Sequence, residues 1–119
     1  MCIRDRETYR YLVEQLAPLK LAYLHVATFG PQFDDYHTTF RALFQGTYLR
    51  GGMLNRESAE AVLKNGEADA VVFGALFLAN PDLPERFRTN APLNTPDKQT
   101  FYSAGAQGYI DYPRLSTAG

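Results

Sequence analysis

The sequence predicts an α/β fold built on parallel strands, and two observations carry that prediction. Short apolar runs, starting near residues 21, 47 and 69, alternate with stretches of helical periodicity. The last run, Val71-Val72-Phe73, ends at Gly74; a short apolar turn follows, and Asn80-Pro81-Asp82-Leu83 then opens a helix. In a (β/α)8 barrel the eighth strand hands over in this way to a small extra helix whose N-terminus receives a phosphate. A whole barrel takes about 250 residues, and only 70 precede this run. The expected architecture is therefore the C-terminal part of a (β/α)8 TIM barrel: about three βα units, strands six to eight, plus an aromatic-rich C-terminal tail.

Each element has its own signature. Tyr9, Leu12, Val13 and Leu16 fall at i, i+3, i+4, i+7 and predict a helix that Pro18 stops. Leu21–Val26 reads as a strand buried on both faces. Gly30-Pro31 breaks it, and Asp34 or Asp35 is expected to cap a helix lined by Phe40, Leu43 and Phe44 and ended by Gly46. Thr47–Arg50 is the second strand, ending at Gly51-Gly52. Asn55 is the expected N-cap of the next helix, Ala59, Val62 and Leu63 its buried stripe, and Gly66 its C′ residue. Asp69–Phe73 is the third strand. Residues 90–113 hold three prolines with Phe101, Tyr102, Tyr109 and Tyr112, an irregular aromatic segment that caps the fold or walls a ligand pocket. Three parallel strands leave two open edges, so the isolated chain is expected to be marginally stable.

Composition narrows the class. The chain has 119 residues, 45% hydrophobic and 21% charged, as soluble globular proteins do. A net charge of −1 gives no pull toward nucleic acid or an anionic membrane, and no apolar stretch is long enough to span a bilayer. The single cysteine, Cys2, has no internal partner, and a cytoplasmic protein is the expectation. Met1–Arg6 is what ATG TGT ATA AGA GAC AG plus one purine encodes, the transposase end sequence used to fragment DNA for sequencing. Residues 1–6 are therefore read as adapter-derived, and 7–119 as the barrel segment. Without 1–6 the chain has ten basic and twelve acidic residues, a charge of −2.

Two glycine sites carry the candidate chemistry. Gly51-Gly52 and Gly74 each end a predicted strand, and the loops after strands seven and eight form the recurring phosphate site of such barrels. Glycine lets backbone N–H groups approach an anion, and a helix N-terminus adds partial positive charge. His25 reads as a structural strand residue with a satisfied ring nitrogen, and His37 as a surface residue early in its helix. Asp34-Asp35 reads as a cap, Asp82 as a charge favouring its helix dipole, and Asp111 as a turn former. No metal site is expected, because neither histidine stands at ligand spacing from a carboxylate or thiol.

From Tyr9 to Pro113 the chain resembles the C-terminal portion of the Old Yellow Enzyme family of flavin-dependent ene-reductases. The blocks that carry the resemblance stand in family order: Tyr23–Val26, Gly51-Gly52, Ala68–Gly74, Ala79–Phe87, Ala91–Asn94, Thr100–Tyr102 and Gly108–Pro113. The resemblance implies an FMN enzyme that takes hydride from NADH or NADPH and passes it to a small activated alkene. It implies FMN phosphate binding by the backbone of Gly52, Met53, Gly74 and Ala75, with Phe101 beside the flavin ring and Tyr102 in the substrate pocket. Many members have Arg directly after the strand-eight glycine, where this chain has Ala75. Either Arg50 replaces that cation or it is a solvated strand-end charge. The family's substrate-anchoring His pair, proton-donating Tyr and flavin N1 Arg lie on earlier strands that nothing here matches. The resemblance therefore assigns no catalytic residue, and the segment alone is expected to be inactive. Two other readings stand beside it: a phosphate-binding barrel isomerase or lyase without flavin, and a half-barrel interaction module that pairs its open edges.

Overall fold

The computed structural model describes residues 3–103 and 105–116; Met1 and Cys2, with the expectations attached to them, lie outside the described residues. Two compact units divide the chain, Met1–Val72 and Phe73–Gly119.

The first unit carries α1 (Ile3–Leu16), β1 (Tyr23–Ala27), α2 (Asp34–Leu43), β2 (Thr47–Gly51), α3 (Arg56–Lys64) and β3 (Ala70–Val72). The strands are parallel in the order β1-β2-β3, the arrangement that alternating strands and helices predict. Register pairs Ala27 with Gly51 and Gly51 with Val72, so all three strands finish at the same end of the sheet. The core gathers Val13 of α1, Tyr36 and Phe40 of α2, Phe44, Tyr48 of β2, Val62 of α3 and Ala68. Phe33, Tyr36 and Phe40 stack along α2 with ring centroids 6.0 and 5.6 Å apart.

Several local expectations change. β1 is not buried on both faces: Leu24 and Val26 pack against the core, while Tyr23, His25 and Ala27 are exposed. Helices cover one face of this strand, and among the described residues nothing covers the other. Among the described side chains of α1, Val13 alone is buried; Tyr9, Leu12 and Leu16 join Leu24 and Val26 along a groove of about 390 Å³. α2 ends at Leu43 rather than Gly46, because Phe44 turns to extended geometry and places its ring in the core. Neither Asp34 nor Asp35 caps α2 with its side chain: Asp34 accepts from Arg50 at 2.9 Å and Asp35 from Arg6 at 2.5 Å. An ion pair with a guanidinium displaces the cap in both cases. Residues 3–6 continue α1 without a break.

α3 follows its sequence signature. Asn55 Oδ1 accepts from the Ser58 N–H at 2.8 Å, and Ser58 Oγ accepts from the Asn55 N–H at 2.9 Å, a reciprocal capping box. Ala59 and Val62 are buried, whereas Leu63 is exposed at the rim of the stripe. Gly66 stands at C′ and donates to Leu63 O.

The second unit holds α4 (Ala75–Ala79) and α5 (Leu83–Thr89) and then runs without long helices or strands through residue 116. The stretch after Gly74 is thus a five-residue helix of its own, not a turn. Ala75–Ala79 has no β-branched residue and no proline to oppose the helical turn.

Candidate functional site

The end of β2 is the most constrained backbone of the first unit. Gly52 has φ +90°, and a Cβ on it would stand 1.9 Å from the carbonyl oxygen of Thr28. No side chain fits there. Met53 follows at φ 42° with 80% of its surface exposed. Two successive residues at positive φ are costly, and strain of this kind marks ligand clamps and turns. Among the described residues neither N–H donates to a protein acceptor. The Gly52 and Met53 amides are therefore available to an anion, a role backbone N–H groups in such turns take elsewhere. At Gly51 a Cβ would meet the Nε2 of His25 at 2.8 Å, so this glycine makes room for the imidazole.

In the second unit, Gly74 is the N-cap of α4 and no side chain caps that end. A Cβ at Gly74 would meet nothing within 4 Å, so packing does not require glycine here. The first N–H groups of a helix have no intrahelical acceptor, which leaves Ala75 N–H open to the same use; Gly74 and Ala75 are both exposed. Phe101 is half-buried, whereas Tyr102 is 98% exposed at φ 58°.

Behind β2 lies a buried polar layer. His37 is 2% exposed, with Nε2 2.9 Å from Thr28 Oγ1 and Nδ1 2.8 Å from the Tyr48 hydroxyl. Burial, reinforced by the nearby Arg50 charge, lowers the His37 pKa to about 4. Burial raises that of Tyr48 above its ordinary value. The surface role expected for His37 is overturned, because α2 presses this residue, as well as Tyr36 and Phe40, onto the sheet. His25, in turn, is exposed rather than satisfied within a packed strand. Arg50 is 9% exposed and donates to Asp34 at 2.9 Å and Glu67 at 3.5 Å. It is no solvated strand-end charge, and its guanidinium is committed to two carboxylates of its own unit. Arg41 forks onto Asp69, whose Oδ2 also accepts the Tyr48 N–H at 2.8 Å. The guanidinium first, then that N–H, pull the Asp69 carboxyl to about 2.

The blocks of the family resemblance that fall in the second unit turn out to hold it together. Arg86, 4% exposed, donates to Asp82 Oδ1 at 2.7 Å and to the carbonyls of Pro92 and Pro113 at 2.8 Å each. Asp82 Oδ2 accepts the Leu115 N–H at 2.7 Å; this bond and the Arg86 guanidinium hold its carboxyl below the usual range. Asp82 clasps the tail, a larger task than favouring a helix dipole. Asn80 and Asn94 exchange bonds at 2.7 and 3.3 Å, and Asn94 Nδ2 donates to Pro113 O at 2.8 Å. Gly108 packs against Thr100, where a Cβ would sit 2.1 Å from Oγ1, and its N–H donates to Asp111 Oδ1 at 2.8 Å. Asp111 is thus a turn former, as its position predicts. The hydroxyl of Tyr112 accepts the Asp97 N–H at 2.9 Å. Among the described residues no group of three histidine, cysteine, aspartate or glutamate side chains stands close enough to hold a metal ion. No helix among them is long and apolar enough to cross a membrane.

No family model matches the chain. 12-Oxophytodienoate reductase 1 of Oryza sativa subsp. japonica is 51% identical over 77 residues, 64% of this chain and 20% of that protein. A 12-oxophytodienoate reductase-like protein of Solanum lycopersicum is 38% identical over 109 residues, 91% of this chain and 31% of that protein. The structure of morphinone reductase in complex with tetrahydroNAD matches with a TM-score of 0.82 at 39% identity, over 98% of this chain and 32% of its own. The chain is a homologue of the Old Yellow Enzyme family. TcOYE in complex with pHBA matches with a TM-score of 0.84 at 35% identity, over 96% of this chain and 31% of its own. The fold is accordingly a partial TIM barrel, and the chain spans between a fifth and a third of the length of these Old Yellow Enzyme relatives.

Proposed function

We propose that this chain carries part of the FMN phosphate site of an NAD(P)H-dependent reductase of activated alkenes. The observation that supports it most is the end of β2: a glycine that nothing else can replace, followed by a second residue at positive φ, both with unclaimed N–H groups. Homology to a flavin oxidoreductase family supplies the ligand. In this reading the N–H groups of Gly52 and Met53 donate to phosphate oxygens; Gly74 and Ala75 are the second-unit residues that the family resemblance names as donors. Ala75 contributes no charge, and Arg50 contributes none to the ligand because Asp34 and Glu67 hold it. Neutral backbone donors then carry the site, without the gain of a charge-assisted bond. Phe101 is the residue proposed beside the isoalloxazine, and Tyr102, whose strained and exposed placement suits a contact residue, is proposed for the substrate pocket. FMN, when bound, supplies the redox chemistry, with NADH or NADPH as hydride donor.

The test is a titration of FMN fluorescence with the chain and with Gly52→Ala, inorganic phosphate serving as competitor. Binding that phosphate competes away and Gly52→Ala abolishes is expected. Equal FMN affinity in the two proteins would remove the site from the end of β2. The adapter origin proposed for residues 1–6 is tested by resequencing the source DNA from a library prepared without transposase.

A further inference from the structure

The turn at Gly52 rests on Thr28, and the question is what holds Thr28. Thr28 is the first residue beyond β1, and its N–H donates to Gly51 O at 3.4 Å. Its backbone N and C each lie 2.8 Å, and its O 1.9 Å, from where a Cβ on Gly52 would stand. The Gly52 backbone therefore lies directly on the Thr28 peptide, and a displacement of one displaces the other. Among the described residues the Thr28 side chain is anchored by Nε2 of His37 at 2.9 Å, and the far nitrogen of that ring is fixed by the Tyr48 hydroxyl at 2.8 Å. Tyr48 is fully buried in β2, four residues before Gly52. The His37 and Tyr48 rings meet edge-on, 6.0 Å apart at 85°.

The chain thus closes a loop of contacts from β2 through Tyr48, His37 and Thr28 back to the turn that ends β2. A neutral imidazole, with one donor and one acceptor, satisfies both hydroxyls at once. An apolar residue would fill the same space without the cost of burying a polar ring, so a polar group here has a directional task.

We propose that His37 and Thr28 are positioning residues for the Gly52–Met53 turn, fixing the two backbone N–H groups that would receive a phosphate. The proposal rests on the phosphate reading for its ligand, and on geometry alone for the positioning. Neither side chain touches the ligand; both act through the Thr28 backbone.

The experiment compares the 119-residue chain with Thr28→Val, Thr28→Ser and His37→Gln. It reads the backbone amide resonances of Gly52 and Met53 without FMN, and the FMN dissociation constant separately. The amides of Tyr48 and Leu49 in β2 report that each variant keeps its sheet. Thr28→Val, which keeps the shape and loses the hydroxyl, is expected to shift the Gly52 and Met53 amides and weaken FMN binding about tenfold or more. Thr28→Ser is expected to restore both, and His37→Gln, which keeps a donor and an acceptor on a side chain of another shape, to fall between. Unmoved Gly52 and Met53 amides in Thr28→Val, with the β2 amides intact, overturn the proposal. So does a Thr28→Ser chain that behaves like Thr28→Val, since a merely structural role would not be rescued by the hydroxyl. A wild-type chain that leaves FMN fluorescence unchanged refutes the phosphate reading alone, because the amide shifts are read without ligand.

Discussion

Acidification between about pH 6.5 and pH 4 should remove a defined part of this chain's stability, and one residue should account for it. The His37 imidazole is held neutral, its pKa lowered from 6.5 to about 4 by burial and by Arg50, against smaller opposing effects of Asp34 and Glu67. The unfolded chain takes up the proton near the ordinary value while the folded chain resists it. The contribution is therefore complete above pH 6.5, declines as pH falls toward 4, and is lost below it. At 1.36 kcal/mol per unit, the difference amounts to about 3 kcal/mol, a large share of the 5–15 kcal/mol typical of a whole domain. The assay is the urea midpoint of the wild-type chain and of His37→Gln across that pH range. His37→Gln should start less stable and show a much flatter pH profile, so that the two curves converge toward pH 4. Asp69 does not interfere, because its carboxyl is pulled from 3.8 to about 2 and its contribution disappears only below the window. Parallel curves for the two proteins would refute the reasoning, since the acid loss would then come from groups other than His37.

Three further outcomes follow from the packing. Arg86→Lys removes the two guanidinium N–H groups that reach the carbonyls of Pro92 and Pro113, while Asn94 still donates to Pro113 O; at about 2 kcal/mol for hydrogen bonds from a charged donor, limited proteolysis should cut within residues 91–113 faster than in wild type. Asn55→Ala removes the acceptor for the Ser58 N–H and should cost about 1 kcal/mol in the urea midpoint, with the Gly52 and Met53 amides unshifted. The isolated chain, with both outer strands unpaired in the first unit, should melt over a broad range with weak amide protection in β1 and β3; a sharp, cooperative melt in dilute monomer would contradict this.

The fold class was legible because alternation of strand and helix depends on period and punctuation, which single residues display openly. Asn55, Gly66 and the Ala59 and Val62 part of the α3 stripe could be read in place, each through a local rule about helix ends or faces. The polar layer behind β2 could not. His37 stands one turn before Phe40 in a helix whose expected stripe is Phe40, Leu43 and Phe44, and packing shows that the buried arc extends back to Tyr36 and the His37 ring. Arg50 offered a signal that was open to reading: strand alternation places it on the same face as Tyr48, the face the helices cover. A cation on that face needs carboxylates, and Asp34 and Glu67 lie far off in sequence, so the pairing is visible only in three dimensions. Likewise, Asp34 and Asp35 satisfy the composition of a cap, yet guanidinium partners from β2 and α1 outcompete one helix N–H.

The second unit separates recognition from chemistry. Its most recognisable blocks, Asn80–Phe87 and Gly108–Pro113, are specific because Arg86, Asp82, Asn80 and Asn94 must meet the backbone of Pro92, Pro113 and Leu115 at short range. Such a clasp holds chain to chain rather than chain to ligand. The proposed phosphate donors are less recognisable. They are main-chain N–H groups, which every residue except proline carries, and at Gly74 no packing dictates the residue. Gly52 is the exception, since the Thr28 carbonyl dictates it as firmly as any ligand would. That coincidence makes glycine at 52 weak evidence of phosphate binding when taken alone, because a turn that merely packs on Thr28 would select the same residue. Met53 offers the discriminating test. A packing turn has no need of a second left-handed residue whose side chain is left in solvent, whereas an anion cradle needs two successive N–H groups free. Met53→Gly should therefore relieve strain and raise stability by a few tenths to about 1 kcal/mol, while leaving FMN affinity within a few-fold. A Met53→Pro chain, which lacks the N–H and cannot adopt φ 42°, should lose FMN; retention of affinity there would show that the Met53 amide holds nothing.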